Sequence, residues 1–280
     1  MEPLIKYFET IPSAHRSIIL AGGIAFFWLL EYAVPLFQFN YKKIKHAWPN
    51  LFFTGTTVII NFALAFILLN ISDWTVSNSF GILHWFQFPL WVSIILAVLL
   101  LDFFGAWLAH YVQHKIKVFW RLHLIHHTDN HVDTTTANRH HPGESIIRFV
   151  FTIFGVFILG APIGMVLLYQ SLSVVFSQFN HANIRLPKKL DTVLSFIIVS
   201  PDMHKVHHHL KLPYTDTNYG NIFSVWDRIL GTFSKMKNEE IVYGIDTYPD
   251  VDSNSKIGRL LKLPFGKYRI IPEAKFNKNL

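Results

Sequence analysis

The hydrophobic residues of this chain fall into long runs, and the polar residues collect between and after them. Residues 17–39 form an apolar run whose only charged member is Glu31, and residues 48–71 contain no charged residue. A third run, over residues 89–110, contains Asp102 as its only charged residue. Because a membrane-crossing helix needs about 20 mostly apolar residues, each run predicts one membrane span.

The fourth apolar stretch is too long for one ordinary span. Residues 149–184 contain no Asp, Glu, Lys or Arg, and the sequence Gly-Ala-Pro-Ile-Gly at residues 160–164 interrupts the stretch near its middle. Glycine and proline in this arrangement are typical of turns. We therefore predict a helical hairpin over residues 146–180 that enters the membrane and returns to the side from which it came.

The whole chain, residues 1–280, is predicted to fold as one all-α integral membrane domain. About three spans are expected to precede the hairpin, and the polar segments are expected to form a His-rich helical cap at one end of the spans. The parts are the spans in residues 17–110, the cap in residues 110–145 and 181–233, and a polar, basic tail in residues 234–280.

The basic residues indicate which side of the membrane the cap faces. Lys42, Lys43 and Lys45 lie before the second span, and the basic segment 115–121 follows the third, so both fall on the side of the cap. An excess of Lys and Arg in short loops marks the cytoplasmic side. We therefore expect a cytosolic cap, on a bacterial inner membrane or on the endoplasmic reticulum.

The composition supports a membrane protein and excludes any site that depends on cysteine. Hydrophobic residues make up 51% of the chain and charged residues only 15%, which is less charge than a soluble domain of this size usually carries. The absence of cysteine excludes disulfides, a cysteine zinc site and a thiolate nucleophile. The net charge of +7 also suits a nucleic-acid-binding protein, but no basic stripe or aromatic-interleaved motif supports that class.

The histidines are the strongest candidates for chemistry, because they cluster. Of the sixteen histidines, only His15, His46 and His84 lie outside residues 110–209. Those inside form the patterns H-x-x-x-H at 110–114 and H-x-x-H-H at both 123–127 and 204–208. Positions i, i+3 and i+4 of a helix share a face, so each motif can direct its imidazoles toward one point.

The number of histidines predicts two metal ions. Imidazole is a ligand for Zn, Cu, Fe and Ni, so the ligand type alone does not select the metal. A zinc site is satisfied by about four protein ligands or fewer, whereas this chain offers eight or nine clustered histidines. Any one of them alone is as well explained as an ordinary surface or core residue, but the repeated spacing favours a dinuclear site in the cap.

The ordered set of motifs resembles the fatty acid hydroxylase/sterol desaturase superfamily. In chain order it reads H-x-x-x-H, H-x-x-H-H, R-x-H-P at 139–142, F-N-H at 179–181, H-x-x-H-H, N-Y-G at 218–220 and W-D-R-x-x-G-T-F at 226–233. The resemblance implies a membrane enzyme with two iron ions that hydroxylates or desaturates a lipid with O2. Hydroxylation of a fatty acyl, sterol or related lipid is our first expectation, and desaturation at the same site is the alternative.

The resemblance also assigns residues. It implies that the ligands are His110, His114, His123, His126, His127, His204, His207 and His208, with His181 of the F-N-H motif as a ninth. His141 matches a family position, either as a ligand or as the partner of one. His140 and His209 stand where the family usually has another residue, so we do not expect them to bind metal.

Carboxylates near the motifs are candidates to orient the ligands. A metal-bound histidine normally donates its second ring N–H to a carboxylate or a carbonyl. The candidates for this role, or for ligation itself, are Asp102, Asp129, Asp133, Glu144, Asp202 and Asp227. Asp102 lies inside an apolar run, where an ionisable group is a candidate for function; the alternative is a buried carboxylate bonded to a neighbouring helix.

The electrons for such a reaction must come from another protein, because no dinucleotide or flavin fingerprint is present. We expect an acidic donor, such as a ferredoxin or a cytochrome b5-like protein with its reductase, to dock on the basic face. Two other classes compete. A zinc hydrolase usually carries H-E-x-x-H, and no Glu lies inside these His motifs. A non-enzymatic metal transporter would place its ligands near the midplane of the bilayer, whereas these histidines lie past the ends of the predicted spans and in the polar segments.

Overall fold

The computed structural model describes residues 1–269, 275 and 276, and within them it is helical, with isolated β-bridges and no strand. The helices are α1 Glu2–Glu9, α2 Ser13–Ala33, α3 Lys43–Ser77, α4 Ile82–Trp85, α5 Leu90–Asp102, α6 Ala109–Lys115, α7 Lys117–His127, α8 Pro142–Leu159, α9 Ile163–His181, α10 Lys188–Leu194, α11 Pro201–His207, α12 Val225–Ile229 and α13 Ile257–Lys262. A π-helical turn, Phe103–Leu108, joins α5 to α6. Short 3-10 helices occupy Thr134–Asn138, Tyr214–Asp216, Asn238–Glu240, Ser253–Ser255 and Leu263–Phe265.

Four helical segments of the described chain are long and apolar enough to cross a membrane. They are Ser13–Ala33, Lys43–Trp85, Leu90–Lys115 and Pro142–Leu159. The first three overlap the apolar runs from which the spans were predicted, although the first ends at Ala33 and not near residue 39. The all-α membrane fold expected from the sequence is confirmed. The third span is one continuous helix with the π-helical turn inside it, and such turns often occur at functional sites.

The fourth apolar stretch reverses direction at the glycine-proline sequence. Helix α8 ends at Gly160, whose φ of 68° is in the left-handed region that favours glycine, and α9 begins directly after Pro162. A Cβ atom on Gly160 would collide with the carbonyl oxygen of Phe80. His84 Nε2 donates to the Gly160 carbonyl at 2.9 Å, so the turn is held against the connection between α3 and α5.

The helices pack closely around small residues and aliphatic side chains. Leu101, Val156, Leu159 and Val166 belong to one buried cluster built from α5, α8 and α9. A Cβ on Gly155 of α8 would lie only 2.9 Å from Phe104, so glycine here lets α8 approach the π-helical turn. Close approach through small residues is typical of helix contacts in membranes, and it fixes α8 against the span that leads to His110.

The C-terminal segment, predicted as a polar and basic tail, packs in part against the cap. Leu260 and Tyr268 are buried in a cluster with Phe53, Trp120 and Leu124. The reason is that apolar residues alternate with the basic ones in residues 257–268 and provide a hydrophobic face. Residues 270–274 and 277–280 of this segment lie outside the residues that the structure describes.

Candidate metal centre

Nine buried histidines meet at one end of the helical bundle and form two adjacent groups. The first histidine group consists of His110, His114, His123, His127 and His207, and the second consists of His126, His181, His204 and His208. Within each group, one ring nitrogen of every member lies within 4.8 Å of those of the others. All nine histidines expected to be ligands are therefore brought together, while His140, His141 and His209 belong to neither group.

Each H-x-x-H-H motif contributes to both groups, which spacing alone did not predict. His123 and His127, one turn apart on α7, belong to the first group, whereas His126 belongs to the second. The reason is that adjacent residues of an α-helix diverge by about 100°, so His126 points away from His127 into the neighbouring group. His207 and His208 are divided between the groups in the same way.

Three outer ring nitrogens of the first group are bonded to oxygen acceptors, whereas the Nδ1 of His127 is buried without a partner in the described residues. His110 Nδ1 donates to the Tyr219 carbonyl at 2.9 Å, and His207 Nδ1 donates to the Thr217 carbonyl at 2.7 Å. His123 Nδ1 lies 2.7 Å from Glu144 Oε1. A carbonyl or a carboxylate accepts the hydrogen bond, so Nδ1 carries the proton in each ring and Nε2 presents a lone pair.

These lone pairs point inward, at one another. His110 Nε2 lies 3.0 Å from His123 Nε2, and with the proton of each ring on the outward Nδ1 neither inward nitrogen has a hydrogen to donate. His207 Nε2 and His114 Nε2 are buried and have no hydrogen-bond partner in the described part of the chain. Converging nitrogen lone pairs repel each other unless a cation lies among them, so this donor set fits a bound metal ion.

The second group has the same inward nitrogens but fewer outer partners. His181 Nδ1 donates to the Ser177 carbonyl at 2.7 Å, and its Nε2 lies 3.1 Å from the Nε2 of both His126 and His204. The Nδ1 atoms of His126, His204 and His208 are buried, and no residue that the structure describes bonds to them. The second group therefore also fits a metal ion, although fewer hydrogen bonds hold its imidazole rings in place.

Burial keeps the cap histidines in the neutral form that binds metal. Loss of hydration lowers the pKa of His207 to about 4. For His123, His126, His127, His204 and His208, burial and then the neighbouring charges lower the pKa well below its ordinary value. A neutral imidazole can offer its lone pair, so at pH 7 these six residues need not lose a proton before they bind an ion.

Of the candidate carboxylates, Glu144 contacts a histidine of the centre directly and Asp227 acts through the backbone. Asp227 accepts hydrogen bonds from the Tyr219 amide at 2.8 Å and from Trp107 Nε1 at 2.9 Å. This holds Tyr219, whose carbonyl accepts from His110. Asp102 accepts from the amides of Ile222 and Phe223, both at 3.1 Å, so it is a buried carboxylate that anchors this same loop.

The remaining candidates lie away from the nine histidines. Asp129 Oδ1 and Asp133 Oδ2 flank His46 at 2.7 and 3.3 Å. Burial alone would raise the pKa of Asp129, but the charge and hydrogen bond of His46 hold it well below its usual value. Asp202 accepts from Asn238 at 3.1 Å. His141 caps α8, since its Nδ1 accepts from the Gly143 amide at 3.0 Å.

The sequence reasoning missed several residues of the centre. Asp216 Oδ1 lies 3.1 Å from His114 Nδ1 and also bonds to Lys275. Thr217 and Tyr219 contribute backbone carbonyl oxygens. Because every residue has a backbone carbonyl, such an acceptor cannot be identified from the residue type. Arg148 could have been noticed, because it is the only basic residue of α8.

A cavity of about 390 Å³ lies beside the centre, between α2, α3, α8 and α9. His140 lines it, together with Ser145 and Arg148. The His140 ring lies 5.0 Å from that of His126, and its Nε2 lies 3.7 Å from Glu144 Oε1. The cavity therefore reaches the two histidine groups through His140.

The fold and site define a class of protein: a helical membrane protein with a paired histidine centre at one end of its spans. The chain belongs to the fatty acid hydroxylase/sterol desaturase superfamily. The model of the family described as fatty acid hydroxylase matches residues 94–232, which contain every motif from which the resemblance was argued except the last residue of W-D-R-x-x-G-T-F.

Three relatives illustrate the range of the family. The chain is 27% identical over 148 residues to the ornithine lipid hydroxylase OlsE of Rhizobium tropici, covering 52% of this chain and 43% of that protein. It is 27% identical over 161 residues to human alkylglycerol monooxygenase, covering 57% and 33%. It is 25% identical over 186 residues to human lathosterol oxidase, covering 63% and 57%. The match thus spans less than two thirds of each relative, and no solved structure matches the chain significantly.

Proposed function

We propose that the protein is an O2-dependent membrane monooxygenase that hydroxylates a C–H bond of a lipid, with one iron ion in each histidine group. The observation that carries the proposal is the convergence of nine buried imidazoles into two groups, in which His110 Nε2 and His123 Nε2 face each other at 3.0 Å. Relatives named as a lipid hydroxylase, a monooxygenase and a sterol oxidase support the lipid substrate and the oxidation.

The ligands under this proposal are the nine histidines of the two groups. An iron pair, when bound, would activate O2 for attack on an unreactive C–H bond, which no protein side chain can do. Overall, one C–H bond, one O2, two electrons and two protons give one C–OH group and one water. The electrons come from an external donor, because the chain carries no fingerprint of a redox cofactor.

The contribution of the chain itself is orientation and enclosure. The carbonyls of Thr217 and Tyr219 and the carboxylate of Glu144 hold three imidazoles of the first group with their lone pairs inward. Such partners raise the basicity of a ligand and fix its ring. The cavity beside His140 lies between helices that cross the membrane, so a lipid can enter from the bilayer without exposing the centre to bulk water.

The charge distribution supports a cytoplasmic cap. Lys43 begins α3 at the end of the bundle that carries the histidines, where it forms an ion pair with Glu31 at 2.7 Å. Lys45 and Lys117 are exposed at the same end. This is the arrangement that the preference of basic residues for the cytoplasm predicts. It also provides a basic face on which an acidic ferredoxin or cytochrome b5-like donor can dock.

A lipid desaturase is the second candidate, since it would use the same centre and the same cavity. A zinc hydrolase has less support, because in the described chain no carboxylate belongs to either histidine group. The nearest one, Glu144, bonds to His123 rather than facing the space between the ligands. A general base of the H-E-x-x-H kind would have to face that space.

The experiment that tests the function is lipid mass spectrometry of cells that express the wild type or His123→Ala. We expect at least one lipid class to gain one oxygen atom in wild-type cells alone, and the gained atom to come from 18O2 when that gas is supplied. Loss of two hydrogens without a gain of oxygen would select the desaturase. Lipids unchanged under 18O2, despite an iron-loaded protein, would contradict both.

A further inference from the structure

The cavity beside the centre contains a charge that the proposed reaction does not explain. Arg148 lies on α8, one helical turn beyond Glu144, and lines the cavity. The four residues from Glu144 to Arg148 rise about 6 Å along the helix axis, and Glu144 itself contacts His123. The guanidinium group is therefore tethered close to the histidine groups, inside a helix that is apolar enough to cross a membrane.

Arg148 has no partner in the described chain. No carboxylate lies within ion-pair distance of it, and its side chain donates no hydrogen bond, in contrast to Arg139, Arg185 and Arg228. Glu144, four residues earlier, directs one carboxylate oxygen to His123, and its other oxygen is buried without a partner. A guanidinium in a membrane segment is costly and normally pairs or serves a ligand.

Arg148 adds positive charge to the wall of a cavity that adjoins the histidine groups through His140, whose ring lies 5.0 Å from that of His126. Two metal ions in the histidine groups would add more positive charge. Glu144, on the same face of α8, is directed to His123, so a negative group in the cavity would stabilise the arginine further.

The cavity is polar enough to receive the head of a lipid. Thr57 and Ser145, whose hydroxyls lie 2.9 Å apart, line it with Ser173 and Asn221, which are linked by a hydrogen bond of 2.9 Å. Ligand cavities are mostly apolar and carry a few polar groups that fix the orientation of the ligand. A cavity that received only a hydrocarbon tail would need no such polar groups.

We propose that Arg148 binds the anionic group of the lipid substrate, a carboxylate or a phosphate, inside this cavity. The substrate class is thus an acidic lipid that is oxidised near its head group. The guanidinium matches the two oxygens of either anion in a bidentate contact. The inference deepens the proposed function and rests on it, since it places the anion beside the same centre.

The test compares two lipid probes that have the same hydrocarbon chain and differ in the charge of the head group. Tritiated oleate and methyl oleate are titrated against the purified, iron-loaded protein in neutral detergent, and binding is read by scintillation proximity. We expect the wild type to bind oleate about ten- to a hundredfold more tightly than methyl oleate, the range for a hydrogen-bonded ion pair. Arg148→Gln should lose this difference while its affinity for methyl oleate is unchanged.

Three controls isolate the role of Arg148. Arg148→Lys should keep part of the preference, because it keeps the charge. Arg16→Gln should keep all of it, since Arg16 lines the same cavity but is exposed at the far end of α2. Equal iron content and thermal unfolding of the Gln and Lys variants would exclude a folding defect as the cause.

Each other outcome is informative. Equal affinity of the wild type for both probes, or loss of the preference in Arg16→Gln instead of Arg148→Gln, would overturn the inference. Oleyl phosphate should compete with oleate, whereas inorganic phosphate should not; if inorganic phosphate competes equally well, the site binds a soluble anion and not a lipid. Because binding needs no turnover, an acid preference in a protein that oxidises no lipid would contradict the proposed function alone.

Discussion

The two histidine groups are neighbours, yet they differ in what surrounds them. In the first group, His110, His123 and His207 each bond through Nδ1 to an oxygen acceptor, and among the described residues the Nδ1 of His127 has no partner. In the second group only His181 does so, while the Nδ1 atoms of its other members have no partner in the described residues. Partners of this kind orient a ligand before the ion arrives, so the first group is better prepared to bind.

The carboxylates near the groups differ in the same direction. Glu144 and Asp216 lie beside the first group. Asp216 also pairs there with Lys275, whose Nζ lies 3.0 Å from His114 Nδ1. Beside the second lies Lys205, which donates to the carbonyl of His181 and whose pKa is lowered by burial to about 7. Negative charge favours a bound cation and positive charge opposes it. We therefore expect the first group to hold its iron more tightly than the second.

The largest effect should come from two adjacent substitutions, one in each group. His207→Ala removes a ligand of the first group and His208→Ala one of the second, so each variant should lose mainly one iron ion and all lipid oxidation. Loss of affinity should exceed about a hundredfold, the upper range for removing only the partner of a ligand. Elemental analysis of the purified variants measures it.

His209→Ala is the matched control for this pair. Its Nδ1 accepts from the Val242 amide at 3.1 Å, and it belongs to neither group. Full iron content in His209→Ala, beside a deficit in its two neighbours, would support the assignment. A deficit as complete as that of His207→Ala would show that the ligands are wrongly assigned.

Removing an orienting partner should have the next largest effect. Glu144→Ala should weaken iron binding in the first group by about ten- to a hundredfold, and Glu144→Gln should do so less, because its carbonyl still accepts from His123. Competition with a chelator gives the affinities. Asp202→Ala, which removes a half-buried carboxylate bonded to Asn238, should leave the affinities unchanged; an equal loss there would mean that contact with a ligand is not what makes Glu144 important.

A smaller effect should separate the groups in the unaltered protein. During slow chelation we expect iron to leave in two phases, with the second group emptied about tenfold faster, which is the effect of about one missing partner. Glu144→Ala should bring the two rates together by accelerating the slow phase. Release of both ions in a single phase from the wild type would mean that the partners do not control retention.

The smallest effect should be that of His140→Ala. His140 lies next to His126 and lines the cavity, but its nitrogens belong to neither group. We expect both iron ions to remain and the rate of lipid oxidation to change by less than about tenfold, since only the wall of the cavity is altered. Loss of iron from this variant would extend the second group to a fifth histidine.

The spans could be predicted from the sequence because they depend on local hydropathy, which located the apolar runs, while Gly160 located the turn of the fourth stretch. Helical spacing singled out the H-x-x-x-H and H-x-x-H-H histidines, and the family resemblance added His181 to complete the nine that meet. Spacing could not divide His126 from His123 and His127, because the division depends on which helices face each side of α7.

The residues that hydrogen-bond to the histidine ligands could mostly not be predicted from the sequence, for a different reason. Asp129 and Asp133 are close to the His motifs in sequence, but their side chains turn toward His46 on another helix. Conversely, Thr217 and Tyr219 contact the centre through their backbone carbonyls, so even the N-Y-G motif at 218–220 did not indicate this role. Nearness along the chain is a poor guide to such contacts, since they form between elements far apart in sequence.

The most direct test of the central claim is the metal content of the detergent-purified wild type, expressed in iron-replete medium. If each histidine group holds one ion, elemental analysis should find about two metal ions per chain, mainly iron. A single zinc ion that survives chelation would contradict the claim and favour a hydrolase. A well-folded protein that binds no metal would contradict the existence of the centre itself.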